Sequence, residues 1–233
     1  MPSVVYQGKD LEAMSFAPNY HEWICSFFKP HLGEKVIEVG AGIGNFSKLL
    51  LMEEIKELCA LEPSALFVDL RKSFAHDARV SCHHHSLGEI AEKYQRHFSA
   101  AVYVNVLEHI EDDSAELRTA RSALCDNGRL CIFVPALPML YSDYDRSVGH
   151  YRRYTKKELV DKVVTAGFTV FSATYFDFLG IAPWFLLYRV LRKKEMKEKN
   201  VKLFDSIVPI LKKMEKLIQP PIGKNIILIA EKA

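Results

Sequence analysis

The sequence has few cysteines, almost no net charge and no apolar run long enough to span a bilayer. Its five cysteines are odd in number and none forms a C-x-x-C pair, so reduced thiols fit better than a disulfide framework. The first residues lack a basic start followed by a long apolar core, which a secretory signal requires. We therefore expect a cytoplasmic protein with reduced thiols.

Length and charge limit the architecture and the partners. A chain of 233 residues is long enough for one α/β core and too short for two ordinary domains, so we expect a single domain over residues 1–233. The net charge of +2 creates no strong field for nucleic acid, and we expect no nucleic-acid partner.

Short apolar runs alternate with helical segments, a pattern that predicts an α/β fold. Strands are predicted at Lys35–Val39, Glu57–Leu61, Arg79–Cys82, Phe98–Val104, Arg129–Val134, Gly167–Tyr175 and Asn225–Ala230. A helix at about Asp10–Phe28 is predicted before them. Thr155 and Glu158 form a capping box for another helix, which we expect to end at about Ala166.

Three glycines at alternate positions, Gly40, Gly42 and Gly44, follow the first strand, and a helix is predicted to begin at about Asn45. Glycine lets backbone approach a ligand closely because it has no Cβ, so this turn predicts a nucleotide-type pocket. Dinucleotide enzymes use G-x-G-x-x-G, whereas the spacing here is G-x-G-x-G. Glu38, just before the turn, would repel a pyrophosphate and would suit a cationic ligand such as S-adenosylmethionine.

Glu62 ends the second predicted strand, about 20 residues past the glycines, where nucleotide-binding α/β folds bind a ribose diol. We expect Glu62 to make that contact. The alternative is a solvated strand-end residue or a first-turn charge on the helix near Ser64–Lys72. A ribose contact here would not separate S-adenosylmethionine from NAD.

The fourth strand continues into the sequence NVLEHI, residues 105–110. With EVGAGIGNFS, LEPS, GRLCIFVP and AGF in the same order, the chain resembles the class I S-adenosylmethionine-dependent methyltransferases over about Asn19–Phe168. It is most similar to the group that includes ubiquinone-type and related small-molecule methyltransferases. The resemblance implies a Rossmann-like, seven-stranded, mostly parallel sheet with an antiparallel last strand and helices on both faces. It also implies an extra N-terminal helix within residues 1–30.

The resemblance further implies a set of cofactor contacts on the strand ends and the N-terminal helix, where Trp23 is expected to help close the pocket. The expected cofactor-binding residues are Tyr20, Glu38, Gly40, Ala41, Gly42, Gly44, Asn45, Phe46, Glu62, Pro63, Ser64, Ser86, Leu87, Asn105, Val106 and Leu107. An acidic residue is common beside the adenine in this family, whereas His85, Ser86 and Leu87 stand here. Adjacent residues at a strand end point in different directions, so we expect no metal at His83–His85. Asp143, Asp145 and His150 are the other metal candidates, but nothing in their spacing sets a ligand geometry, so we expect no metal there either.

The segment 135–155 is the expected substrate loop, because loops at the carboxyl ends of parallel strands line the binding crevice. Its expected substrate contacts are Tyr141, Asp145, Tyr151, Arg152 and Arg153. Arg152 or Arg153 would bind an anionic group of the substrate. The alternative is a loop whose charges satisfy one another, with Asp145 paired to one arginine.

His109 and His150 are the candidate general bases, since histidine titrates near neutrality. A base is needed only if the methyl acceptor is a hydroxyl. Otherwise positioning of the two reactants carries the in-line displacement. His109 is equally compatible with a helix-start residue or a wall of the cofactor pocket.

An apolar stretch, Phe176–Leu191, is followed by the basic sequence RKKEMKEK. It is too short to span a bilayer, so we predict a helical insertion over residues 177–220 that covers a sheet edge, forms a dimer or lies on the cytoplasmic face of a membrane. The sequence therefore predicts an S-adenosylmethionine-dependent methyltransferase with a small-molecule acceptor, lipid-like or anionic. An NAD-dependent oxidoreductase and a non-catalytic cofactor-binding module are the alternatives.

Overall fold

A computed structural model describes residues 17–218 and 220–233. The strands are β1 Lys35–Val39, β2 Glu57–Leu61, β3 Val80–His83, β4 Phe98–Val104, β5 Leu124–Pro135, β6 Phe168–Phe176 and β7 Asn225–Lys232. The helices are α1 Pro18–Phe28, α2 Asn45–Leu50, α3 Phe67–Ser73, α4 Leu87–Ile90, α5 Asp113–Ala123, α6 Asp143–Ser147, α7 Lys156–Thr165, α8 Ile181–Trp184 and α9 Glu198–Ile218. A π-helix, Phe185–Val190, continues α8. Positions 10–16 of the predicted first helix lie outside the described residues.

The seven strands form one sheet in the order β3-β2-β1-β4-β5-β7-β6, and β7 runs antiparallel to both of its neighbours. This confirms the expected Rossmann-like sheet with an antiparallel last strand. Strands β1, β2 and β4 match their predicted bounds to the residue. Strand β5 begins earlier than predicted because Leu124 pairs with Phe98 ahead of an irregularity in the β4–β5 register.

Side chains that alternate along the central strands pack into two cores, one on each face of the sheet. Ile37 and Tyr103 belong to the core that also contains residues of α5 and α7. Val36 and Val102 belong to the core that contains residues of α1 and α9. The parallel strands are thus covered on both faces, as their continuous apolar sequences require.

Helix α1 depends on α9 for its N-terminal cap. Ala17, at the N-cap position, provides no side-chain hydrogen bond. The Asp205 carboxylate of α9 instead accepts a hydrogen bond from the Tyr20 backbone N–H at 2.9 Å and another from the Asn19 backbone N–H at 3.3 Å. Since uncapped N–H groups at a helix start are costly to bury, α9 fixes the position of α1.

The helices between β6 and β7 begin at a second buried carboxylate. Asp177 accepts hydrogen bonds from the Tyr20 hydroxyl at 3.0 Å and from the Gly180 N–H at 2.9 Å. Its other partner is the Lys224 ammonium, at 2.6 Å. No helix within residues 17–218 and 220–233 has the length and hydropathy needed to cross a bilayer.

Candidate active site

A cavity opens at the carboxyl ends of β1, β4 and β5, beneath α1 and beside the segment that follows β5. Nine of the residues predicted from the sequence line it: Tyr20, Glu38, Gly40, Ala41, Asn45, Phe46, Asn105, His150 and Arg153. The glycine turn after β1 and the segment after β5, which are about 100 residues apart in the sequence, therefore meet at one cavity. Parallel strands bring them there because their carboxyl ends share one edge of the sheet.

The glycine turn follows β1 as predicted, and α2 begins at Asn45. Two of these glycines are required by contacts within the protein, whereas the sequence predicts that they let a ligand approach the backbone. A Cβ on Gly40 would lie 2.5 Å from Cγ2 of Val106, and one on Gly44 would overlap the ring of Phe74. Both have positive φ, +71° and +89°, so the protein itself requires glycine at these positions.

Glu62 at the end of β2 binds this turn. Its Oε2 accepts a hydrogen bond from the Gly42 N–H at 2.8 Å, and its Oε1 accepts one from the Ser64 N–H at 2.9 Å. The side chain is buried, which excludes the solvated strand-end alternative. Each carboxylate oxygen can accept a further hydrogen bond, so Glu62 can brace the turn and still bind a hydroxyl.

Glu38 is a buried carboxyl on the cavity wall, and the Ser47 hydroxyl donates a hydrogen bond to it. The pKa of Glu38 is raised to about 8, chiefly by burial; the Ser47 hydrogen bond opposes this rise and the charge of the nearby Glu62 adds to it. A cationic group bound beside Glu38 would restore the ionised form.

Other predicted cofactor residues lie outside the cavity wall, namely Gly42, Gly44, Glu62, Pro63, Ser64, Ser86, Leu87, Val106 and Leu107. Several have structural partners of their own. Ser86 forms a capping box with Glu89 at the start of α4, and Leu87 and Leu107 are fully buried in the core. Cofactor contacts at these positions stay a prediction.

Asp145 is the centre of a buried polar network in the segment after β5. Its carboxylate accepts hydrogen bonds from Nε of Arg153 at 2.7 Å and from the Ser142 hydroxyl at 2.7 Å, and it lies 3.1 Å from Nδ1 of His150. Burial opposes ionisation of Asp145, but the hydrogen bond from His150 and the charge of Arg153 together hold its pKa below the ordinary value. The predicted pairing of Asp145 with one arginine is therefore present.

The two adjacent arginines have different environments. Arg153 lines the cavity, and its guanidinium carbon lies 4.6 Å from the ring centroid of Trp184. Arg152 pairs with Asp113 at 2.7 Å and donates to the Glu111 carbonyl, and it does not line the cavity.

The predicted tyrosine contacts also lie outside the cavity wall. Tyr151 is largely exposed. The hydroxyl of Tyr141 donates a hydrogen bond to the His150 carbonyl at 2.6 Å.

His109 and His150 lie next to each other, with ring centroids 4.5 Å apart. Glu108 is fully buried beside them, 3.9 Å from Nε2 of His150, and neither of its carboxylate oxygens has a hydrogen-bond partner among the described residues. Burial raises the pKa of Glu108 to about 7 and lowers that of His109 to about 3. One ligating atom from each of the three residues lies within 4.8 Å of the others, a spacing that a metal ion could bridge, so the expectation of no metal stays a prediction.

The remaining wall residues were not predicted. They are His21, Ile43, Val104, Phe133, Pro135, Tyr144, Trp184, Met196, Lys224 and Asn225. Trp184, Met196 and Lys224 come from the segment between β6 and β7, which has no pattern that links it to the glycine turn. The apolar sequence around Trp184 is the only local sign that this segment packs on the rest of the protein. It predicts cover for a sheet edge, a dimer contact or a membrane contact equally well.

Comparison with family models matches residues 16–173, more than half of the chain, to a methyltransferase domain. The comparison with curated proteins finds no match. Among solved structures, an S-adenosylmethionine-dependent methyltransferase from Mesorhizobium loti has a TM-score of 0.64 at 13% identity, covering 91% of this chain and 98% of that chain.

Two further structures extend the likeness. An S-adenosylmethionine-dependent methyltransferase from Thermotoga maritima, described as a possible histamine N-methyltransferase, has a TM-score of 0.63 at 19% identity, covering 98% of this chain and 96% of that chain. The 1,6-didemethyltoxoflavin-N1-methyltransferase of Burkholderia thailandensis, with bound 1,6-didemethyltoxoflavin and S-adenosylhomocysteine, has a TM-score of 0.62 at 16% identity, covering 99% and 84%. The likeness to these solved structures establishes the fold, and the match to the family model establishes which family the chain belongs to. The chain belongs to the methyltransferase-domain family and has the fold of class I S-adenosylmethionine-dependent methyltransferases.

Proposed function

We propose that this protein is an S-adenosylmethionine-dependent methyltransferase that acts on a small-molecule acceptor. The observation that carries the proposal is the buried Glu38 on the wall of a cavity formed by the glycine turn. The ionised form of this carboxyl repels a pyrophosphate and is stabilised by a cation. It therefore argues against the NAD-dependent alternative in this family context.

The residues present fit the cofactor. Glu38 offers a carboxylate for its cationic amino-acid portion, and Glu62 offers acceptors for a ribose diol beside the Gly42 amide. Tyr20 and Phe46 contribute aromatic walls to the same cavity. When bound, S-adenosylmethionine supplies an electrophilic methyl group to a nucleophile held in line with it.

His150 is the better placed of the two candidate bases. It lines the cavity and its Nδ1 is held by the Asp145 carboxylate, an arrangement that leaves Nε2 to accept a proton. Glu108, on the Nε2 side at 3.9 Å, would stabilise the resulting imidazolium. Burial lowers the pKa of His109 to about 3, so that ring is a weak base, and it does not line the cavity.

Arg153 is the residue that we assign to an anionic group of the acceptor, since it lies on the cavity wall and Arg152 does not. The indole Nε1 of Trp184 is buried without a hydrogen-bond partner among the described residues and can donate to the same acceptor. We place the protein in the cytoplasm, because the five cysteines are unpaired thiols and reduced thiols are typical of that compartment.

Calorimetry with S-adenosylhomocysteine and with NAD tests the cofactor assignment. We expect S-adenosylhomocysteine to bind and NAD not to bind. Methyl-labelled S-adenosylmethionine, incubated with a panel of hydroxylated, amine and carboxylate acceptors, then tests turnover. Binding of NAD alone would overturn the proposal, and cofactor binding without transfer to any acceptor would favour a non-catalytic module.

Ligand binding is expected to release a proton from Glu38. In the free protein the pKa of about 8 keeps this buried carboxyl largely protonated at pH 7, and a cationic ligand favours the ionised form. Affinity should therefore rise by up to about tenfold per pH unit as pH increases toward 8 and level off above it. Titrations at pH 7 in two buffers of different ionisation enthalpy measure the released protons.

The Glu38→Gln variant is the matched control, because it keeps the shape of the side chain and cannot titrate. The difference in proton release between wild type and variant removes the contribution of the ligand's own amino group. Equal proton release in both proteins would contradict the assignment of Glu38.

A further inference from the structure

Helix α9 has two apolar faces, and only one of them is packed. Val201, Val208 and Leu211 are buried against the rest of the protein. A second stripe faces solvent at spacings of three and four residues, which places its members on one side of the helix. It consists of Leu203, Ile207, Ile210, Met214 and Leu217, each between 41% and 86% exposed.

The exposed surface continues onto residues 178–191, the segment that contains α8 and the π-helix, where large apolar side chains are again in contact with solvent. These are Phe178, Leu179, Phe185, Leu186, Val190 and Leu191. Singly exposed apolar residues are common on soluble proteins, but a continuous surface of this kind marks a binding site. We call these residues and the α9 stripe the docking surface.

An apolar groove lies within the docking surface. Pro183 and Leu187 form one side, and Leu203 and Ile207 of the α9 stripe form the other. The groove shares Tyr20, Trp184, Met196 and Lys224 with the candidate active-site cavity. A hydrocarbon chain in the groove would therefore place its polar end at the cavity, beside Arg153 and His150.

The charge around the docking surface is strongly positive. Residues 189–216 contain ten lysines and arginines and four acidic residues, although the whole chain has a net charge of only +2. Lys202, Lys213 and Lys216 each stand next to a member of the α9 stripe. An apolar surface bordered by lysines is complementary to a bilayer with anionic headgroups, since each basic residue near such a surface adds to the attraction.

We propose that the docking surface binds a membrane containing anionic lipids, and that the groove admits the hydrocarbon chain of a lipid acceptor to the active site. The second part rests on the proposed methyltransferase function. The first part does not, because surface binding needs neither cofactor nor turnover. A second copy of the chain or a protein partner on the same surface is the competing outcome.

Sedimentation with vesicles of phosphatidylcholine, with and without phosphatidylglycerol, tests the docking surface. We expect binding only to vesicles that contain phosphatidylglycerol, and a loss of binding at high salt. The Ile210→Glu/Leu217→Glu variant changes two exposed residues and should lower partitioning by about tenfold or more. The matched control is Met52→Glu/Val164→Glu, which changes two residues that are 75% and 52% exposed outside the docking surface and should bind normally.

No wild-type binding to phosphatidylglycerol vesicles would overturn the docking proposal. So would a wild-type dimer that the Ile210→Glu/Leu217→Glu variant converts to a monomer, since a second copy would then cover this surface. Calorimetry with S-adenosylhomocysteine in the absence of vesicles separates the two proposals. Intact cofactor binding without vesicle binding removes only the docking proposal, and the reverse result removes only the proposed function.

Trp184 reports on the groove directly, because it lies between the groove and the cavity. Phosphatidylglycerol brominated on its acyl chains should quench the fluorescence of a Trp23→Phe variant, in which Trp184 is the remaining tryptophan. The reciprocal Trp184→Phe variant retains the buried Trp23 and should be quenched much less. Vesicle binding without quenching of Trp184 would overturn chain entry into the groove.

Discussion

Replacement of Glu62 by glutamine is expected to weaken binding of S-adenosylhomocysteine by roughly 10-fold to 100-fold. Glutamine keeps one carbonyl acceptor, so the change removes one charge-assisted hydrogen bond to a ribose diol, which contributes about 1.5–3 kcal/mol, and about 1.4 kcal/mol corresponds to a factor of ten. Glutamine also presents an NH₂ group to one of the backbone N–H groups that Glu62 accepts from, those of Gly42 and Ser64. Calorimetry measures the loss without knowledge of the acceptor.

Glu57→Gln is the matched control for this change. Glu57 begins the same strand, where its carboxylate pairs with His97 at 2.7 Å and Lys35 at 3.8 Å, far from the carboxyl edge of the sheet. We expect its affinity to equal that of wild type. A Glu62→Gln protein with an unchanged melting temperature and normal affinity would show that Glu62 only braces the turn.

Replacement of His150 by glutamine is expected to lower kcat by roughly 100-fold to 10,000-fold for a hydroxyl acceptor, the range typical of a lost general base. Binding of S-adenosylhomocysteine should change little, because the proposed cofactor contacts are Glu38, Glu62 and the glycine turn. The measurement requires an acceptor identified from the labelled-methyl panel. The His76→Gln variant, at an exposed position in the turn that precedes β3, is the control and should keep full activity.

A chelator separates the base from a metal ligand at the same place. Glu108, His109 and His150 have the spacing that could hold an ion, so wild-type activity should be measured with and without EDTA. Activity that EDTA abolishes and a divalent cation restores would reassign His150 to metal binding. A His150→Gln protein with wild-type kcat would exclude both roles.

The bounds of the central strands could be predicted to the residue, because a parallel strand that is covered on both faces has a nearly continuous apolar sequence. The glycine turn and the start of α2 were predictable for a similar reason, since their signals are local. The role of Gly40 was not, because its Cβ would meet Val106. That contact depends on how β1 and β4 pair and is invisible in the spacing of the glycines.

The charges of the segment after β5 indicate a polar site. Arg152 and Arg153 are neighbours of the same type, so nothing in the sequence distinguishes them. The difference arises from Asp113 of α5, which pairs with Arg152, and from Asp145, which turns Arg153 toward the cavity wall. Likewise, Trp184 of α8 and Lys224 just before β7 line the cavity only because the whole segment between β6 and β7 packs beside it.

The cap that Asp205 provides for α1 connects the proposed membrane surface with the candidate active-site cavity. One face of α9 is the proposed membrane contact, and another holds Tyr20, a wall residue of the cavity, through its backbone N–H at 2.9 Å. If a bilayer stabilises α9 in this position, it also stabilises Tyr20 on the cavity wall, and a ligand in the cavity would stabilise α9 in return. Thermodynamic reciprocity requires the two affinities to rise by the same factor, so the protein would retain its cofactor most tightly where its acceptor is found.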